Sequence, residues 1–187
     1  MNLNVPNMLT LLRVILIPVF AVVFFLPWEY ARFAAGVIFG ITAITDFLDG
    51  YLARKLNQES KLGAFLDPVA DKLAVAVAMI LLLQADPRVL IAAPVAIIIC
   101  REITISALRE WMAELGKRAT VAVSAIGKIK TVAQMVAIIA MLLERKVLGL
   151  PLYEIGLVAL YVAAVLTIWS MVVYLKASFA VIFAKTE

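Results

Sequence analysis

The sequence predicts an all-α membrane protein, and three observations predict it. Of the 187 residues, 65% are hydrophobic, where a soluble domain carries roughly half, and the mean hydropathy is +1.07. The apolar residues fall into six runs, each near the ~20 residues a helix needs to cross a bilayer. The basic residues gather in the short stretches between those runs.

The first run covers about 8–27. It has Arg13 inside it, no basic region before it and no small-residue cleavage site after it, so it reads as a retained span rather than a secretory signal. The preceding MNLNVPN is expected to lie along the interface as a short helix. Asn7, Thr10 and Arg13 step three apart along one face, and either cap and pack the first helix or line a cavity. The remaining spans are expected at about 32–53, 63–84, 88–112, 121–143 and 152–180. The last is long enough to tilt or to extend beyond the membrane. Six spans use most of the chain, so residues 1–187 are expected to form a single membrane domain. The lone Cys100 excludes an intramolecular disulfide and reads as a packing residue. The region of Met135 and Met141 and the three tryptophans are expected to pack in spans or anchor at interfaces.

The net charge is +4 with no histidine. Charge in short loops argues for topology rather than nucleic-acid binding. With the N-terminus in the cytoplasm, Arg54, Lys55, Lys61, Lys117, Arg118, Lys128, Lys130, Lys176 and Lys185 fall on the cytoplasmic side. Arg32, Arg88, Arg145 and Lys146 fall on the other, and both termini face inward. The lack of histidine removes the commonest general base and a common zinc ligand.

Against this background four acids stand out. Asp46 and Asp49 close the second span; Asp67 and Asp71 open the third. An ionised side chain in a span costs roughly 2.5–3.5 kcal/mol on insertion scales, so four together call for a function. Spacings of three and four put each pair on one helix face. At the helical rise both pairs lie roughly 7–14 Å below the same helix–loop boundary. All four carboxylates can therefore converge near the cytoplasmic surface. They cannot all ionise without a counter-charge, which a divalent metal supplies; all-oxygen ligation favours Mg²⁺, or Mn²⁺ or Ca²⁺. Arg54 fits as a planar donor to phosphate oxygens, and Gly50, Ala53, Gly63 and Ala64 keep the helices thin beside the acids. Separate ion pairs, such as Asp49 with Arg54, are the plain alternative.

The pattern Asp-x-x-Asp-Gly-x-x-Ala-Arg, eight residues, then Gly-x-x-x-Asp-x-x-x-Asp resembles the signature of the CDP-alcohol phosphotransferase family. The likeness extends over nearly the whole chain, through NVPNMLTLLRVILIP, GAFLDPVADK and REITISALREWMAELGKRATVAVSAIGKIKT. It implies six transmembrane helices around a polar cavity open to the cytoplasm, in a homodimer. It also implies transfer of a phosphatidyl group from CDP-diacylglycerol to sn-glycerol 3-phosphate, with release of CMP. By the same resemblance two Mg²⁺ or Mn²⁺ ions would sit on Asp46, Asp49 and Asp67, with Asp71 as general base and further metal contact. The CDP moiety would meet Asp46, Asp49, Gly50, Ala53, Arg54, Gly63 and Asp67. The inner membrane of a Gram-negative bacterium is the implied location.

A second basic group stands on the fourth and fifth spans. Arg101 and Arg109, eight apart, share a face within ~80° of helix rotation. With Ser106, Lys128, Lys130 and Thr131 they suit the acceptor's phosphate. Arg101 could equally be a buried ion pair. A family member with another acceptor, or a divalent-cation transporter, are the competing readings; the second leaves Gly50, Arg54 and Gly63 unexplained.

Overall fold

The computed structural model describes the backbone of residues 5–56, 61–116, 125–144, 146–147 and 149–183. Side chains are described for 8–46, 63, 65–116, 129–144 and 149–179. Among these residues the chain forms six α-helices: α1 (Val5–Phe24), α2 (Ala31–Leu56), α3 (Lys61–Ala85), α4 (Val89–Glu114), α5 (Ala125–Leu143) and α6 (Leu152–Phe183). The helix α1 takes in Val5–Asn7, so that part of the N-terminal segment continues the first span instead of forming a separate interfacial helix. One departure from all-α is a two-residue antiparallel hairpin, β1 (Lys146–Val147) with β2 (Leu150–Pro151), between α5 and α6. Its turn uses Gly149 at φ +78°, a conformation that costs a residue with no Cβ least.

Among the described residues two helices are long and apolar enough to cross a membrane by length and composition, Val89–Glu114 and Leu152–Phe179. Shorter apolar stretches run through Met8–Phe24 and Ile129–Leu143. The helices α2 and α3 have 26 and 25 residues; α3 carries its acids and bases at its N-terminal end, and α2 gathers its acids toward its C-terminal end, with Arg32 alone at its start. Large apolar side chains cover the outside: Ile15, Val22, Ile44, Ile103, Val165 and Trp169 are all more than half exposed or close to it. Such a surface suits lipid contact and is consistent with a membrane protein. None of the three tryptophans is buried; Trp28 packs at a tilt against Tyr30 in the α1–α2 turn, with centroids 5.7 Å apart.

Burial sorts by position along each helix. The apolar core holds Phe20 of α1, Phe39 of α2, Met79 of α3, Ile91 of α4, Ile138 of α5 and Leu160 of α6. The buried polar residues come from the opposite ends: Thr10 and Arg13, Thr42, Arg101, Lys130 and Gln134, Ser170 and Ser178. In α1 and α5 polar residues precede core residues in sequence, and in α2, α4 and α6 they follow. That alternation is what an up-and-down bundle with one polar end and one apolar end requires. The helix α1 packs on α2 and α3, α2 on α5, α5 on α6, α6 on α4 and α4 on α3. Close approach of α5 and α6 depends on Gly156, where an added Cβ would lie 2.6 Å from Met141 Cγ and 2.9 Å from its backbone nitrogen.

The apolar end is tied off by ion pairs. Arg32 Nη1 donates to Glu144 Oε1 at 2.5 Å, joining the start of α2 to the end of α5. Arg88 donates through Nε and Nη2 to the two oxygens of Asp86 at 2.7 and 2.6 Å, and Tyr153 of α6 donates to the same carboxylate. These bonds, the Arg88 ones foremost, hold the Asp86 carboxyl well below the usual carboxylate range.

Candidate active site

The site grows from the polar end. Asp67 and Asp71 lie one turn apart on α3, so both point to one side of it. Pro68 between them has no N–H to give the turn before it. Asp46 sits on the neighbouring α2. The helix α1 touches both and supplies their partners. Thr10 Oγ1 donates to Asp67 Oδ1 at 2.7 Å. Arg13 Nη1 donates to Asp71 Oδ1 at 2.5 Å and pairs with Asp46 Oδ1 at 2.7 Å. The guanidinium is 1% exposed, whereas the two carboxylates are 36% and 40% exposed. One buried cation therefore holds two half-open acids side by side and offsets their mutual repulsion. Asp67 also lies within electrostatic reach of Asp71.

A cavity of about 290 Å³ opens next to these acids, and Asp46 and Asp71 are among its lining residues. Arg101, Arg109, Lys130 and Thr131 line the same cavity, together with Lys72, Glu102, Gln134 and Tyr174. The basic wall is held by specific bonds. Arg101 Nη1 lies 3.2 Å from Glu102 Oε1, the oxygen that also accepts from Lys130. Arg101 Nη2 donates to Ser170 Oγ at 2.9 Å, and the Ser170 hydroxyl in turn donates to the Thr167 carbonyl at 3.0 Å. Arg109 Nη2 donates to Tyr174 Oη at 2.9 Å. Both guanidinium carbons lie over the Tyr174 ring, at 5.6 Å for Arg101 and 5.2 Å for Arg109.

The structure thus brings together Asp46, Asp67 and Asp71 with Thr10 and Arg13, and places Arg101, Arg109, Lys130 and Thr131 around the same cavity. Ser106 is not among the lining residues; its hydroxyl donates to the Glu102 carbonyl on its own helix at 2.5 Å. Gly63 is buried one turn before Asp67. The side chains of Asn7, Asp49, Ala53, Arg54 and Lys128, and the surroundings of Gly50, lie outside the described residues. Glu102, Lys72, Gln134, Ser170 and Tyr174 were not read as site residues from sequence. The signal for α6 was present: Thr167, Ser170, Tyr174 and Ser178 recur at three- and four-residue steps in an otherwise apolar helix.

Among the described residues no group of three or more His, Cys, Asp and Glu stands ready to hold a metal ion. The acids facing the cavity nonetheless offer only carboxylate oxygens, the donor set of a hard dication.

Comparison with known proteins adds a second line. Residues 3–169 match the family model described as CDP-alcohol phosphatidyltransferase. Proteins from Shigella flexneri serotype 5b, Shigella boydii serotype 4 and Escherichia coli K12 are each 55% identical to this chain over 178 residues. The alignment covers 95% of this chain and 96% of each relative. All three carry the name CDP-diacylglycerol–glycerol-3-phosphate 3-phosphatidyltransferase.

Proposed function

The chain belongs to the CDP-alcohol phosphatidyltransferase family, and from that premise we propose that it moves the phosphatidyl group of CDP-diacylglycerol to sn-glycerol 3-phosphate, giving phosphatidylglycerophosphate and CMP. The observation that carries the reading is 55% identity along 95% of the chain to relatives named for that transfer. The cavity supports it, because acids and bases together line one space of about 290 Å³.

The acceptor hydroxyl attacks the β-phosphorus of CDP-diacylglycerol. A new P–O bond forms to the acceptor, and the bond from that phosphorus to the CMP oxygen breaks. Asp71 takes the hydroxyl proton, a role for a carboxylate at the cavity edge. Arg13 holds Asp71 in place and pairs it with Asp46. Arg101, Arg109 and Lys130 receive the acceptor's phosphate, with Thr131 as a neutral donor. Asp46, Asp49, Asp67 and Asp71 would hold one or two Mg²⁺ or Mn²⁺ ions. Bound there, such ions neutralise pyrophosphate charge and stabilise the leaving phosphate. Gly50, Ala53, Arg54 and Gly63 are assigned to the CDP moiety on the motif.

The wider setting belongs to the same proposal. Six spans form a single membrane domain in the inner membrane, with the cavity and both termini cytoplasmic, in a homodimer. Lipid tails stay in the bilayer while the head group reaches the cavity. Membranes carrying the protein should release CMP when given both substrates; release that does not depend on glycerol 3-phosphate would overturn the acceptor.

A further inference from the structure

We propose that Tyr174 is a positioning residue that sets Arg101 and Arg109 as a pair for the acceptor's phosphate, and so contributes to the demand for a phosphorylated acceptor. The inference rests on the reading that this cavity takes glycerol 3-phosphate. Arg101 and Arg109 are eight residues apart on α4, which separates their Cα atoms by roughly 12 Å along the helix. Two cations at that spacing do not grip one phosphate unless something turns their heads together. Tyr174, from α6 and 4% exposed, does so: its ring lies within 5.6 Å of both guanidinium carbons.

The chemistry of the holder matters as much as its place. Arg101 and Lys130 share the carboxylate of Glu102, so part of their charge is already answered. Arg109 has no carboxylate within ion-pair distance among the described residues; it is held by a phenol oxygen and an aromatic face. A neutral holder fixes the guanidinium and leaves its full charge for a dianion. The Tyr174 ring also packs against Arg101, which Ser170 and Glu102 hold through its two terminal nitrogens. One buried side chain of α6 thereby sets both arms of the basic wall.

The test is steady-state CMP release by the full-length protein, varying each substrate in turn. Tyr174→Phe keeps the ring and loses the bond to Arg109; the acceptor KM should rise roughly three- to tenfold. Tyr174→Leu loses both, and the rise should reach roughly ten- to a hundredfold. The KM for CDP-diacylglycerol should stay within about twofold in both, and preference for glycerol 3-phosphate over glycerol should fall. In an Arg109→Ala background the Phe exchange should add almost nothing, since it acts through Arg109. An unchanged acceptor KM in Tyr174→Phe, equal rises in both KM values, or full additivity with Arg109→Ala overturns the inference. Tyr174→Phe alone decides if the Leu variant does not fold. Wild-type protein that releases no CMP from these substrates overturns the proposed function instead.

Discussion

Arg13 of α1 donates to Asp71 of α3 across 58 residues of sequence, at 2.5 Å, with the guanidinium almost wholly buried and the carboxylate 40% exposed. The asymmetry decides what the bond is for. Breaking a fully buried pair costs about 3–5 kcal/mol, but here the acids left behind can be solvated. Arg13→Gln should therefore cost only about 1–3 kcal/mol of stability. Its larger effect should fall on turnover, by at least roughly a hundredfold, because Asp46 and Asp71 lose the group that holds them together. Thermal unfolding and CMP release on the same preparation separate the two. If the acids bind a dication, added Mg²⁺ should narrow the stability deficit by replacing the missing charge.

The α5–α6 seam gives a prediction free of the chemistry. Gly156→Ala would put a Cβ 2.6 Å from Met141 Cγ and 2.9 Å from the Met141 nitrogen. Overpacking of this kind costs about 1–3 kcal/mol. Adding Met141→Ala should recover only part of it, since the backbone nitrogen cannot move aside as a side chain can. Melting of the two variants in detergent is the measurement; full recovery would place the conflict in the side chain alone.

Much of the site was legible because its signal is local. Three- and four-residue steps put Asp67 with Asp71, and Thr10 with Arg13, on shared helix faces whatever the tertiary fold. Which residue those faces meet is not local. Nothing in the segment around Arg13 says that its partners lie at Asp46 and Asp71, because that depends on how α1 seats against α2 and α3. Tyr174 was overlooked for a related reason: a tyrosine in a long apolar helix reads as packing until α4 is placed beside it. Ser106 shows the converse limit. A serine inside a helix readily bonds back to the preceding turn, here the Glu102 carbonyl, and spacing alone cannot tell that from a ligand contact. The helix count needed only hydropathy, whereas the two-residue hairpin at Lys146–Pro151 is too short to leave a periodic pattern.

The Asp86 cluster predicts a pH dependence. Its carboxyl is held below the ordinary range by Arg88 and Tyr153, so the folded state binds its proton less readily than the unfolded chain does. The contribution is therefore fully present above the unfolded value of about 4 and is lost as pH falls through the lowered folded value. Asp86→Asn should lower the melting temperature at pH 7, with the gap to wild type narrowing only below about pH 4. A gap that instead narrows between pH 6 and 8 would mean another group is responsible.

Metal removal should separate the acids by role. A chelator should abolish CMP release, with Mg²⁺ or Mn²⁺ restoring it. Asp46→Asn and Asp67→Asn each remove one ligand charge, so the metal concentration for half-maximal rate should rise by tenfold or more, about 1.4 kcal/mol. Asp71→Asn should chiefly lower turnover, by roughly 10²–10⁴, with a smaller change in that concentration. Equal metal shifts in all three would make Asp71 a plain ligand.

The basic wall makes the least intuitive prediction, because Glu102 couples its members. Lys130 and Arg101 share one oxygen of that carboxylate. When Lys130 is removed, Arg101, 3.2 Å away, is the ion-pair partner that Glu102 keeps, with Lys72 only within electrostatic reach, and Glu102 will draw Arg101 from the acceptor's phosphate. Lys130→Ala should therefore cost more than one contact: a rise in acceptor KM of roughly a hundredfold, where a single charge-assisted bond accounts for about tenfold. Neutralising the competitor should return Arg101 to the substrate. Lys130→Ala with Glu102→Gln should then regain roughly tenfold in acceptor KM over Lys130→Ala alone. Independent residues would give the opposite, each loss adding to the last. Acceptor kinetics on the two singles and the double decide it: a double variant no better than Lys130→Ala would show that Glu102 only holds the wall and does not compete with the phosphate.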